Sequence, residues 1–301
     1  MADERIGRLF PAGGPVPPEL IIGRAGDVDE IARRLEEAMH TMLAGPRRIG
    51  KTTVCAAACE RAGRGGMLVV EIEVPERPDA AALLQLMIDR CNRISIAAAE
   101  RRLLRATRPL IEKVLDDKGI PLDLSQLGAE PGALPTRTIL SLPLEIARQT
   151  RRPVVLFLDE LQRAVDYADG EHVLGDLVDI YSGGTDVVVL VDGSEERVMA
   201  GMLEPPVQFG KLCDRLSLSA QIPIYTWREA LPQRFRQAGL ELQPDALDAL
   251  LKFGGGRPYA TMTAARYMAL NARKLGSDSV GRFEAETAIA EAQRHLDDDV
   301  G

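Results

Sequence analysis

The segment Gly45-Pro46-Arg47-Arg48-Ile49-Gly50-Lys51-Thr52 constrains this chain more than any other stretch. An apolar run, Met39–Ala44, precedes it and predicts a strand. An alanine-rich stretch, Thr52–Ala62, follows and predicts a helix. The two glycines let the backbone turn tightly, so that several N–H groups face one point. The helix adds the positive end of its dipole at the same place. Such an arrangement holds phosphate, and the spacing meets the pattern G-x-x-x-x-G-K-[ST] in full. Lys51 is then the residue that reaches the β- and γ-phosphates, and the Thr52 hydroxyl the one that sits on Mg2+.

A second acidic element follows in the expected order. Val154-Val155-Leu156-Phe157-Leu158 is a branched aliphatic run that ends in Asp159-Glu160. Asp159 suits the orientation of magnesium through its water shell. Glu160 suits the polarisation of a water that attacks the γ-phosphate. An acidic pair after a strand is also an ordinary helix cap; its order after the phosphate loop favours the catalytic reading. The adjacent acid separates the chain from GTPases and kinases that lack such a glutamate. Met67–Val74 supplies a strand between the two motifs.

Elsewhere the pattern alternates strands and helices. Residues 1–18 read as a flexible arm. Asp27 is expected to cap a helix with Glu30 completing a capping box, followed by Val28, Ile31, Leu35 and Ala38 at helical spacing. Residues 79–118 are helical in pattern, and Gly119, Pro121, Gly128 and Pro131 mark 119–135 as a loop. Residues 76–150 thus read as a family-specific helical insertion. Val154–Leu158 and Val187–Val191 suit central parallel strands, and a fifth strand is expected at Leu216–Ile222. After Tyr225, helical patterns at 226–238, 244–253, 257–275 and 281–296 replace the strands. The predicted fold class is α/β: a P-loop NTPase three-layer sandwich with a parallel five-stranded sheet, followed by a small all-helical lid domain. The predicted division is an arm at 1–18, an ATPase core at 19–223 and a lid at 224–301.

Composition narrows the partners. A formal net charge of −8 argues against broad capture of DNA or anionic membrane. Arg101, Arg102, Arg105 and Arg108 form either a local basic patch or a solvated helix face. The thiols Cys55, Cys59, Cys91 and Cys213 read as small buried side chains suited to a reducing cytosol, because the three histidines lie far away in sequence. The start of the chain lacks the apolar core of a signal peptide, and the apolar runs are too short to cross a bilayer. A cytoplasmic protein without membrane contact is expected.

The loop Gly45–Thr52 resembles that of the archaeal-type ATPases within the AAA+/STAND assemblage of P-loop ATPases. Ile21-Ile22-Gly23-Arg24 resembles the family's leading segment, and Gly254-Gly255-Gly256-Arg257-Pro258 its glycine–proline turn before a lid helix. The resemblance covers roughly residues 20–270, with the phosphate loop its one highly specific motif. It implies that Ile22 and Arg24 lie against adenine, and that Thr53 joins Gly45–Thr52 among the nucleotide-binding residues. Through it Asp192 or Ser194 is a sensor near the γ-phosphate, although the acid departs from the family's neutral side chain and a turn cap explains both equally well. Arg215, before the fifth strand, is the candidate arginine finger or a surface arginine. Arg257 is a second sensor, or else its neighbour Pro258 packs near adenine. Arg47 and Arg48 contribute through their backbone N–H groups.

The expected function is therefore ATP binding and Mg2+-dependent hydrolysis, coupled to a macromolecular partner. That partner is another protein or further copies of the chain. A nucleotide switch with negligible turnover stands beside this reading. A DNA-associated AAA+ regulator, akin to replication initiators or transposition ATPases, is not favoured, because Leu296-Asp297-Asp298-Asp299-Val300 is acidic and no basic module follows. Adenine over guanine rests on the resemblance, since no guanine-reading Asn/Thr-Lys-x-Asp motif is present.

Overall fold

The structure, a computed structural model, describes residues 2–14, 16–76, 80–99, 135–194, 196–204 and 207–298. The arginines Arg101, Arg102, Arg105 and Arg108, the loop expected over 119–135, and the end of the acidic tail lie outside the described residues. The chain forms two compact units. One, the sheet unit, comprises Asp29–Ala44 and Ala58–Ser217. The other, the helical unit, comprises Met1–Val28, Gly45–Ala57 and Leu218–Gly301.

The sheet unit is built on five parallel strands in the order β2-β3-β4-β1-β5. They are β1 (Thr41–Ala44), β2 (Leu68–Glu73), β3 (Val154–Asp159), β4 (Val187–Gly193) and β5 (Asp214–Ser217). β3 and β4 are buried at every position, as continuous aliphatic runs in the middle of a parallel sheet must be. The edge strands differ: β2 alternates buried and open positions, and β5 is mostly exposed. Pairing of Leu43 with Asp192 and of Leu158 with Val191 brings Ala44, Asp159 and Gly193 to the same, C-terminal edge of the sheet.

Both faces of the sheet are covered. Leu68, Val70, Ile72, Val154, Leu156 and Leu158 share one core with residues of the helices Ala80–Ala99, Thr136–Leu140, Leu142–Thr150, Gly170–Tyr181 and Glu196–Leu203. The intervening side chains Val155, Phe157, Val188 and Leu190 point the other way and are equally buried. There the 58–64 turn of a helix running Lys51–Arg64 brings Cys59 beside Glu71 and Gly63 against Val69. All four cysteines are buried thiols. Burial raises the thiols of Cys59, Cys91 and Cys213, that of Cys91 to about 12, so they stay protonated and unreactive.

The fifth strand lies earlier than expected. The chain pairs with β1 over Asp214–Ser217, so Arg215 sits inside the strand, opposite Met42, rather than before it. The Asp27 capping box is also corrected: the helix runs Ala25–Glu36, which places Asp27 in its first turn. Asp27 there accepts a hydrogen bond from Arg24 at 3.3 Å.

In the helical unit the expected flexible arm is partly an ordered helix, Ala2–Leu9. Its Ile6 and the following Phe10 are buried, and Phe10 meets Phe235 with ring centroids 4.7 Å apart. Burying each such side chain contributes roughly 1.5–3 kcal/mol toward the cost of ordering a terminal helix. Four helices follow at Ile224–Gln237, Pro244–Gly254, Pro258–Lys274 and Arg282–Asp298. The last two meet through Ala264, Ala265, Ala269, Ala272, Ala285, Ala288 and Ala292, all fully buried, whose small side chains let the backbones approach closely. Two two-residue strands, Glu241–Leu242 and Ser279–Val280, pair in parallel where only helices were expected. Strands this short carry no periodicity to read.

Candidate functional site

Three groups of residues carry the sequence-predicted roles. The first is the phosphate loop in the helical unit. Arg48 and Gly50 both adopt left-handed backbone, at φ of 68° and 95°, and the helix begins at Lys51. That conformation turns consecutive N–H groups inward, which is the geometry of an anion cradle. Lys51 is buried, and its Nζ donates to the Pro46 carbonyl at 2.8 Å, across the loop that it closes. Thr53 Oγ1 accepts from the Val16 backbone at 3.2 Å. The Arg48 guanidinium lies over the Tyr259 ring, 4.6 Å from its centroid, while Pro46 and Arg47 are exposed.

The second group lines a cavity in the same unit. Ile22, Arg24, Ile49, Trp227, Pro258 and Met262 are among the residues that line it. Its walls are largely apolar, as suits a flat heterocycle. Arg24, expected against the base, has a further task. Its guanidinium is 5% exposed and donates to the Ile49 carbonyl at 3.1 Å and to the Ser219 carbonyl at 2.6 Å. It thus ties the phosphate loop to the segment before Ile224. Burial lowers its pKa and the charge of Asp27 counters that.

The turn at Gly254–Pro258 leads into Pro258 of the cavity lining. Gly256, at φ 80°, accepts a backbone hydrogen bond from the Ile222 N–H, and a side chain there would stand 2.7 Å from the Ile222 carbonyl. Only glycine fits both conditions. The Gly256 carbonyl also accepts from Trp227 Nε1 at 3.4 Å. Pro258 then occupies the first helical position, where its missing N–H costs nothing. Arg257 is exposed and donates to the Gly254 and Phe253 carbonyls of the preceding helix.

The third group stands at the C-terminal edge of the sheet. Asp159 ends β3, is 9% exposed, and stands opposite Glu73 of β2 in the strand register. Glu160 follows with left-handed backbone, at φ 56°. Such a conformation costs a non-glycine residue about 1–2 kcal/mol, and residues of this kind concentrate at functional sites. Ser194, just past β4, donates to Glu160 Oε2 at 2.8 Å. Asp192 is buried within β4. Arg215 belongs to the exposed edge strand β5.

Gln162 and Arg234 are among the residues of these groups that escaped sequence reasoning. Gln162 joins Glu160 and Ser194 by hydrogen bonds. Arg234 lines the cavity, 7% exposed, donates to the Leu20 carbonyl at 2.8 Å, and has its pKa lowered by burial. A signal for Arg234 existed, because it shares the helical face of the apolar Trp227, Leu231 and Phe235. Gln162 gave none.

Within the helical unit, the phosphate cradle with its buried lysine and the apolar cavity beside it fit a nucleotide; within the sheet unit, the acidic side chains at the strand ends are of the kind that hold magnesium. The sequence pattern of the AAA ATPase domain matches residues 20–190. No curated protein matches the chain. Among solved structures, the chain is similar to the Aeropyrum pernix ORC2 protein in its ADPNP–ADP complexes, with 19% identity and a TM-score of 0.66 over 95% of this chain and 71% of that one. The Walker-type ATPase of Pyrococcus abyssi gives 18% identity and 0.64 over 96% and 77%. The Aeropyrum pernix ORC1 protein in complex with DNA gives 17% and 0.63 over 96% and 69%. At these identities the likeness is one of fold.

Proposed function

The chain belongs to the AAA ATPase domain family, and from that premise we propose that it binds ATP with Mg2+ and hydrolyses it to act on a macromolecular partner. The observation that carries this reading is the phosphate loop. Its two left-handed residues lead straight into the helix at Lys51, whose buried amine leans across the loop. Lys51 and the loop amides take the phosphates, and the cavity lined by Ile22, Arg24 and Pro258 takes the base. Thr52 and Asp159 are the magnesium residues, and Glu160 is the base that draws a proton from the attacking water. Magnesium, when bound, neutralises charge that develops on the phosphates. Ser194 senses the γ-phosphate, and Arg215 is the finger that a neighbouring copy would receive.

The partner we favour is a protein or further copies of this chain. A net charge of −8 does not suit a wide DNA interface, and the likeness to a structure solved with DNA is one of fold. The test is phosphate release from Mg-ATP over a range of protein concentrations, with Lys51→Ala and Glu160→Gln alongside. Lys51→Ala is expected to lose ATP binding. Glu160→Gln is expected to keep binding and lose about 100-fold in turnover, the scale of general-base catalysis. Specific activity that rises with concentration supports self-assembly with Arg215 as finger. Slow release that is flat with concentration favours a nucleotide switch. Unchanged ATP affinity in Lys51→Ala overturns the proposal.

A further inference from the structure

Glu160 is gripped from two sides. Ser194 Oγ donates to its Oε2 at 2.8 Å, and Gln162 Nε2 donates to the same oxygen. Gln162 Nε2 also stands 3.4 Å from Ser194 Oγ, so the amide bridges the ends of β3 and β4. The orientation of the amide follows from chemistry: an ionised carboxylate only accepts, so the NH2 end must face it. That choice leaves Gln162 Oε1 buried with no hydrogen-bond partner, in a side chain only 3% exposed.

An orphaned carbonyl oxygen in a core is unfavourable, and methionine would fill the same space without it. The room for the amide is itself specific. A side chain at Gly193 would stand 2.5 Å from Gln162 Oε1 and 2.3 Å from Met199 Sδ. Packing alone therefore does not account for glutamine here; its bond to Glu160 does. Glu160 meanwhile leaves the strand in left-handed backbone, which commits its side chain to this corner.

We infer that Gln162 is a positioning residue for ATP hydrolysis, which fixes the carboxylate of Glu160 together with Ser194. The inference rests on the reading of Glu160 as the hydrolytic base. Gln162 acts through Glu160: it holds the base in one orientation before the water arrives, so that the freedom of the carboxylate is already lost when the proton moves. Removal of that hold lowers the rate of the chemical step and leaves nucleotide affinity alone.

The experiment uses the full chain, with single-turnover and steady-state phosphate release from Mg-ATP and a melting temperature for each variant. Gln162→Met is expected to lower kcat by about 10- to 100-fold, the scale of a misplaced catalytic group, with KM unchanged and a melting temperature equal or higher. The double variant Glu160→Gln/Gln162→Met is expected to be no slower than Glu160→Gln alone, because the two residues act as one unit. Gln162→Asn keeps the amide but draws it back by one methylene, and is expected to lose kcat in the same way. It stands in if the methionine variant does not fold. Full turnover in either Gln162 variant, beside a slow Glu160→Gln, overturns the positioning role and leaves the base intact. Multiplicative losses in the double variant overturn it too. Full turnover in Glu160→Gln overturns the reading of the base, and the role of Gln162 falls with it.

Discussion

Replacing Arg24 with Met should loosen the phosphate loop, on a scale set by its contacts. The guanidinium is 5% exposed and donates to the carbonyls of Ile49 and Ser219 at 3.1 and 2.6 Å. Methionine keeps an apolar stem in the same space but leaves both carbonyls without their charged donor. Each such bond contributes about 1.5–3 kcal/mol. Part of that is returned, because Arg24 is unfavourably buried and its Nε has no partner. The pair with Asp27 adds little, since that carboxylate is 38% exposed. A net loss of about 2–4 kcal/mol remains. With urea slopes of about 1–3 kcal/mol per molar, the unfolding midpoint should fall by on the order of 1 M. Trp227, the chain's single tryptophan, reports that transition from the same unit. ATP affinity by calorimetry should weaken about tenfold, equivalent to about 1.4 kcal/mol, because the Ile49–Lys51 backbone must then be ordered on binding. Arg24→Lys should fall between, since one ammonium lacks the planar fork that spans two carbonyls. An unchanged midpoint together with unchanged affinity would refute the clamp, and would mean that water satisfies both carbonyls.

Three further outcomes follow from single contacts. Arg48→Ala and Arg48→Gly both lose the contact with Tyr259, but only alanine stays strained at a φ of 68°, so the glycine variant should be the more stable by about 1 kcal/mol in thermal unfolding. Equal stabilities would show that the loop relaxes. Because Trp227 lines the cavity, Mg-ATP should shift its fluorescence in a saturable titration. A silent tryptophan at saturating nucleotide would move the base away from this cavity. His40 accepts from the Val189 N–H through Nδ1 at 2.9 Å, and burial lowers its pKa from 6.5. The unfolded chain binds that proton more readily than the folded one, so this share of stability is present above pH 6.5 and is lost as pH falls below it. Melting temperatures from pH 8 to 5 should fall less steeply in His40→Asn; parallel profiles would rule the residue out.

What the sequence determined by itself was whatever is local or periodic. The glycine spacing of Gly45–Thr52, the aliphatic run into Asp159-Glu160, the parallel α/β sheet and the helices after Tyr225 all follow from residue type at short range. Backbone conformation and burial periodicity act over a few residues, so they can be read along the chain. Tertiary structure decided the rest. The phosphate loop and the first 28 residues pack with the C-terminal helices, because Ile6 and Phe10 find their apolar partners there. Arg215 fell inside the edge strand, because pairing with β1, which lies far away in sequence, sets where β5 begins. Arg24 became a clamp through Ser219, and Gln162 met Ser194 only because β3 and β4 are neighbours. Contacts between residues so distant along the chain leave no spacing to detect, and geometry alone creates them.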